Sequence, residues 1–304
     1  MKRNTALTMF FAYILLANLT ATAGDDFTCS PANVAGTWGY IETATFIDAG
    51  IAYPYASVGI YTLDAHGNIS GKRTASAAGS PVKAAIVGTA TVNPDCTGIE
   101  NLSFYDESGN LIGTAIKALV YVNKGREVNK LITATAGPIV AITKAKRILP
   151  GRQDLLGLDR KDNGRRAFGC SNADLEGEWG TTMTGMTLPS PTTSRVFGSV
   201  NKAVYDSEGN FGGTQIRSIH GAVGTFNFIG EYIVNPDCTG TKIGKTYLSG
   251  TLQNTAYQDF VLVDDGNEIF EIITSNILAN GTSVPTIITG QSQKTFPKGA
   301  QALD

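Results

Sequence analysis

The sequence predicts an all-β protein: two tandem eight-stranded antiparallel up-and-down barrels, one per sequence repeat. Three observations lead there. The chain is written twice, since Val92-Asn93-Pro94-Asp95-Cys96-Thr97-Gly98 returns 142 residues later as Val234-Asn235-Pro236-Asp237-Cys238-Thr239-Gly240. Cys29-Ser30, Gly36, Trp38 and Gly39 return likewise as Cys170-Ser171, Gly177, Trp179 and Gly180, and Gly67-Asn68 with Gly71 returns as Gly209-Asn210 with Gly213. Each copy is also a succession of short β-branched and aromatic runs between Gly, Asn and Asp turn signals, with no long helix among them. Finally, eight strands joined by hairpins expose two sheet edges unless the sheet closes on itself. A two-sheet sandwich is the alternative architecture.

The elements follow in order. Residues 1–23 read as a signal peptide: Lys2 and Arg3, an apolar run from Ala6 to Leu19, then the small-x-small site Ala21-Thr22-Ala23. The run is short for a membrane anchor, which needs about 20 apolar residues, and no later stretch is long and apolar enough to span. The mature protein is therefore expected to be secreted, to the periplasm or outside the cell, with no stable membrane insertion. Repeat 1 occupies 24–149, a Gly-, Asp- and Arg-rich linker 150–166, and repeat 2 167–304.

In repeat 1, strands are expected near 37–47, 56–64, 69–77, 83–92, 98–105, 113–123, 126–135 and 139–148. In repeat 2 they fall near 179–187, 195–206, 210–219, 223–234, 240–249, 255–263, 268–275 and 284–294. Turns such as Ala65-His66-Gly67-Asn68 and Ser207-Glu208-Gly209-Asn210 supply the positive φ that tight hairpins need. Pro31 to Val34 and Asn172 to Leu175 suit one short turn each before the first strand. Phe260-Val261-Leu262-Val263 and Ile269-Phe270-Glu271-Ile272-Ile273 are apolar on both faces, so they need cover on both faces. The two barrels are expected to pack through them.

Four cysteines in an exported chain read as disulfides, and four allow three connectivities. Each copy holds one cysteine near its start and one in its Asn-Pro-Asp-Cys turn. Pairing Cys29 with Cys96 and Cys170 with Cys238 gives each copy its own bridge. Closing loops of this length contributes about 4 kcal/mol in the chain-entropy treatment.

Composition excludes several function classes. A net charge of -2 offers no basic stripe for nucleic acid and no polybasic anchor for anionic lipid. Thirty-five glycines and 16% charged residues suit a turn-rich exported β protein. There is no Cys-x-x-Cys, and neither of the two histidines adjoins a cysteine, so no metal is expected. No nucleophile elbow, zinc-hydrolase helix motif or phosphate-binding glycine loop occurs, so no catalytic residue and no cofactor are assigned. His66 sits in a turn where repeat 2 has Glu208, and repeat 1 offers no histidine near the counterpart of His220. No histidine-dependent reaction is therefore shared by the two copies. Glu42 lies four residues beyond Trp38 on the same face of the first strand. An interior carboxylate there would need a basic partner or a raised pKa. The commoner outcome is a bend or bulge that delivers it to solvent at the rim.

Gly36-Thr37-Trp38 and Gly177-Glu178-Trp179 open the first strand of each copy. They resemble the Gly-x-Trp signature of lipocalins and the wider calycin group of up-and-down barrels. That resemblance implies a tryptophan closing the barrel floor under a basic residue from the last strand, a role for which Arg147 and Lys294 lie in the right region. The segment from Gly88 to Gly98, and Gly230 to Gly240 in the second copy, is also similar to uncharacterised secreted lipocalin-like proteins carrying a Val-Asn-x-Asp-Cys-Thr-Gly element. The implied function is binding of small apolar or amphipathic molecules. Candidate ligand-contacting residues are Trp38, Tyr40, Glu42, Tyr61, Trp179, Tyr205 and Tyr232. The rival classes are a cyclase- or isomerase-like enzyme that uses the barrel as an apolar chamber, and a structural or cell-surface protein whose barrels are filled by their own side chains. The interior discriminates among the three: an empty apolar chamber would favour binding, an apolar chamber with convergent polar groups catalysis, and a filled core the structural role.

Overall fold

The computed structural model describes residues 27–48, 51–148, 169–190 and 193–295. The segments expected as signal peptide (1–23) and linker (150–166) lie outside the described residues. The first unit opens with a helical turn, α1 (Pro31–Val34), and continues through β1 (Gly36–Asp48), β2 (Ile51–Leu63), β3 (Asn68–Ala77) and β4 (Ser80–Val92). β5 (Thr97–Tyr105), β6 (Leu111–Val122), β7 (Glu127–Thr135) and β8 (Ile139–Arg147) complete it. The second unit opens with a 3-10 turn (Asn172–Asp174), then β9 (Gly177–Ser190), β10 (Thr193–Tyr205), β11 (Asn210–Ile219) and β12 (Ala222–Val234). It ends with β13 (Thr239–Leu248), β14 (Thr251–Val263), β15 (Glu268–Leu278) and β16 (Thr286–Lys294). Each set of eight is a closed antiparallel barrel: β1 pairs with both β2 and β8, and β9 with both β10 and β16. Closure satisfies every sheet edge, which the sandwich would not.

Strands and turns fall where the alternation and the turn signals put them. The main difference is length. β2, β9, β14 and β15 run several residues further than the side-chain pattern suggests, all at the barrel ends remote from Trp38 and Trp179. The backbone ladder continues there although the pattern has faded. In Thr251-Leu252-Gln253-Asn254, polar residues stand on both faces.

The two disulfides join Cys29 to Cys96 and Cys170 to Cys238. Cys96 and Cys238 each adopt φ +68 in their Asn-Pro-Asp-Cys turns. The turn's aspartate bonds the following threonine, as in Thr97 N–H to Asp95 Oδ1 at 3.0 Å and Thr239 N–H to Asp237 Oδ1 at 3.1 Å. Each bridge therefore ties the segment that plugs a barrel end to the rim of that barrel.

The barrels pack where both-faced apolar strands predict. The outer residues of β14 and β15, Val261, Val263, Phe270 and Ile272, are fully or almost fully buried. They share one cluster with Ala56, Val58 and Ile60 on the outer face of β2. Gly39 in β1 allows the approach, since a Cβ there would stand 2.4 Å from Val263 and 2.8 Å from Val261. Polar links ring the contact. Lys146 reaches Glu268 at 2.5 Å, Lys72 reaches Asp237 at 2.7 Å, and Thr74 donates to Asp259 at 2.6 Å.

Candidate functional site

Both barrels have the same floor. Trp38 and Trp179 are fully buried, and their indole N–H groups donate to the carbonyls of Val34 (3.2 Å) and Leu175 (2.6 Å) in the plugging turns. Arg147 lies 5.4 Å from the Trp38 ring and donates to the Asn33 carbonyl at 2.7 Å. Lys294 lies 5.2 Å from the Trp179 ring and donates to the Asp174 carbonyl at 3.1 Å. Each pair joins a cation to an aromatic face. Arg147 and Lys294 do not share the repeat offset, yet they pair with equivalent tryptophans. The longer connection between β15 and β16 accounts for the difference.

Above its floor, barrel 1 is full. Glu42 does not reach solvent as its expected bend would allow: β1 runs regularly past it and the carboxylate is 2% exposed. It forms an ion pair with Lys117 from β6, and both groups bond Thr143 from β8, Lys117 Nζ to Thr143 Oγ1 at 3.0 Å. Burial pushes the Glu42 pKa up, but the Lys117 ammonium and the Thr143 hydroxyl outweigh it and hold the carboxyl below its ordinary value. A second pair joins Glu100 of β5 to Lys130 of β7 at 2.6 Å, with Lys130 also 2.7 Å from the Tyr61 hydroxyl. Burial draws the Lys130 pKa down despite Glu100, and the nearby Lys117 adds to that. Tyr40 bonds Ser57 at 3.2 Å and packs 6.2 Å from Tyr61. The space left is about 10 Å³, at most one water.

Barrel 2 holds a chamber of about 190 Å³. The strand registers, counted outward from the tryptophans, explain the difference. Tyr40, Tyr61, Leu102, Phe104 and Thr143 are replaced at equivalent positions by Thr181, Ala203, Gly244, Thr246 and Gly290. Phe211 and Phe228 stand in place of Ile69 and Ile86 and refill only part of the volume. One wall is apolar, built from Met183, Phe197, Ile273 and Ile288. The amides Gln215, Asn254, Gln258 and Asn276 also line the chamber, with Gln258 paired across the strands with Ile273.

An ion pair stands at the inner end of this chamber. Lys242 of β13 meets Glu271 of β15 and lies 3.1 Å from the Tyr205 hydroxyl. Ser292 donates to Glu271 at 3.3 Å. Gly290 makes room for the carboxylate, since a Cβ there would stand 2.6 Å from Glu271 Oε1. Burial pulls the Lys242 pKa down, but Glu271 and then Tyr205 more than offset it and leave the pKa raised. Lys242 is thus a fixed ammonium rather than an amine base or nucleophile.

Of the seven residues expected to contact ligand, Tyr205 lines the chamber. Trp38, Tyr40, Glu42 and Tyr61 belong to the filled core of barrel 1, and Trp179 to the floor of barrel 2. Tyr232 turns its hydroxyl to the carbonyls of Asn172, at 3.0 Å, and Asp206, beside the plug. His66 is exposed in its turn, where its N–H bonds Asp64 at 2.8 Å. Sequence reasoning did not single out Lys117, Glu100, Lys130, Lys242 or, as a charged group, Glu271. A signal existed in β5, where Gly98, Leu102 and Phe104 fix the inward parity and Glu100 shares it.

The sequence matches no protein-family model and no curated protein. Among solved structures, it is similar to the isotype 1 transferrin binding protein B of serogroup B Neisseria meningitidis, at 9% identity over 86% of this chain and 77% of that chain, with a TM-score of 0.29. It is also similar to a protein with unknown function from Nostoc punctiforme, at 11% identity over 86% of this chain and 96% of that chain, with a TM-score of 0.26. Scores this low leave the chain's own geometry as the ground for any reading. The fold and the site define a class: a tandem eight-stranded barrel protein with one filled barrel and one chambered barrel.

Proposed function

We propose that this is an exported binding protein that takes one small amphipathic molecule into barrel 2, with barrel 1 as its filled support. The observation that carries the reading is the asymmetry of the interiors, about 190 Å³ against about 10 Å³ on the same scaffold. Drug-sized ligands occupy pockets of roughly 300–1,000 Å³, so the ligand here is smaller. A lining that mixes aliphatic and aromatic side chains with amides suits a molecule with an apolar body and a polar end. The floor geometry supports the lipocalin-like resemblance, and the paired cysteines support an oxidising compartment. The fixed charge of Lys242 favours binding over an enzyme that would need a neutral lysine.

The test is native mass spectrometry of the chain from Gly24 made in an oxidising host, followed by titration with short-chain amphiphiles under Trp fluorescence. A small molecule released on denaturation, or saturable quenching at one site per chain, is the expected result. A bare chain that no amphiphile perturbs would overturn the reading and favour a structural role.

A further inference from the structure

We infer that Arg217 in the wall of barrel 2 receives the acidic oxyanion head of the bound amphiphile. This rests on the chamber being a binding site, and it names the class of ligand.

Arg217, on β11, lines the chamber, and its guanidinium carbon stands over the Phe226 ring, 3.8 Å from the centroid. Its Nη1 donates to Asn254 Oδ1 at 3.0 Å, and Asn254 is itself oriented by its amide N–H bond to Asn276 Oδ1 at 2.9 Å. That leaves the other edge of the guanidinium, Nε with Nη2, without a partner among the described residues, and Nε is buried. Two parallel N–H groups on one edge are the donor pair that a carboxylate or similar oxyanion accepts bidentately.

Among the described residues, no carboxylate bonds this cation. Burial alone shifts the Arg217 pKa, downward, with no acidic side chain offsetting it. Glu271 in the same chamber is committed to Lys242. The comparison within the chain is direct. Arg73 of barrel 1 also stacks on a phenylalanine, 3.5 Å from the Phe104 centroid, and its Nε is also unbonded, but Glu42 stands close enough to be stabilised by its charge. By register, Arg217 replaces Ala75 of barrel 1, so the cation is peculiar to the barrel that has the chamber. A half-buried cation with no counter-charge is unfavourable by itself. An anionic ligand supplies the missing charge.

The experiment compares octanoate with 1-octanol on the full mature chain by isothermal titration calorimetry, in the wild type and in Arg217→Met. The expected result is that the wild type binds octanoate at least tenfold more tightly than octanol, while Arg217→Met loses that preference and binds the two about equally. An unchanged far-ultraviolet circular dichroism spectrum shows that the variant is folded. A wild type with no preference for octanoate, or a preference that survives Arg217→Met, overturns the role of Arg217 and leaves the chamber as a binding site. Failure of the wild type to bind either probe overturns both.

Discussion

Lys242 in barrel 2 stands at the strand position of Glu100 in barrel 1, and the two carry opposite charge. Each lies on the fifth strand of its barrel, opposite a partner on the seventh: Lys130 faces Glu100 at 2.6 Å, and Glu271 faces Lys242. Both barrels hold a pair at this place, with the sign reversed. The second pair of barrel 1, Glu42 with Lys117, has no counterpart in barrel 2, where Met183 and Gln258 hold those positions.

Inversion implies that each pair is needed as a pair. Glu100→Gln strands a buried ammonium and is expected to cost about 3–5 kcal/mol. The double variant Glu100→Lys with Lys130→Glu writes the barrel 2 arrangement into barrel 1 and is expected to recover most of that loss. Urea unfolding followed by circular dichroism reads both. A double variant no more stable than Glu100→Gln would mean that the orientation, and not the pairing, is what barrel 1 requires.

The Glu42 pair sets an acid limit. Its carboxyl pKa is lowered in the folded state by Lys117 and Thr143 acting against burial. A lowered folded pKa contributes stability that is present above the unfolded value of about 4.3 and is lost as pH falls through the folded value. The double variant Glu42→Gln with Lys117→Met removes the titration without leaving an orphan charge. Its urea midpoint is expected to fall less than that of the wild type between neutral pH and pH below about 4. Parallel acid profiles for the two proteins would count against this account.

The sequence carried most of the fold because its signals are local. Turn glycines and alternating strands each act within a few residues, the cysteine pairing followed from the repeat although each bridge spans 67 or 68 residues, and the unbroken apolar strands at Phe260 and Ile269 announced the contact between barrels. The interior was less legible. Whether a barrel is full depends on residues from several strands meeting at one level, such as Tyr40, Tyr61 and Phe104. That meeting is decided by register, which no single strand displays. Glu42 was misjudged for the same reason: its partner Lys117 is 75 residues away. Arg217 went unnoticed because an isolated arginine in a strand resembles any surface residue until its neighbours are known.

The contact between barrels depends on the absence of a side chain at Gly39. Gly39→Val would place a branched group where a Cβ alone stands 2.4 Å from Val263. Overpacking of this kind costs about 1–3 kcal/mol. Each barrel closes on its own ladder, so the expected result is separation rather than unfolding. Small-angle scattering should show a larger radius of gyration with unchanged far-ultraviolet circular dichroism. An unchanged radius would show that the interface can absorb the extra volume. The buried Lys146–Glu268 link is then expected to hold the barrels together, and Glu268→Gln on top of Gly39→Val becomes the decisive combination.

The chamber itself can be closed with residues the chain already uses. Gly244→Leu and Thr246→Phe restore at those positions what barrel 1 carries in Leu102 and Phe104. Both positions face inward: a Cβ added at Gly244 would stand 3.4 Å from the Phe211 ring, and Thr246 lies across from Asn254. Filling a void with apolar groups adds contacts and removes water, so the doubly substituted protein is expected to be as stable as the wild type or more so. Ligand binding is expected to fall at least tenfold. Stability and binding moving in opposite directions would show that barrel 2 gives up packing to keep its chamber open. If binding persisted in the filled variant, the ligand would lie elsewhere on the protein, and the chamber would be a packing defect left by Thr181, Ala203 and Gly290.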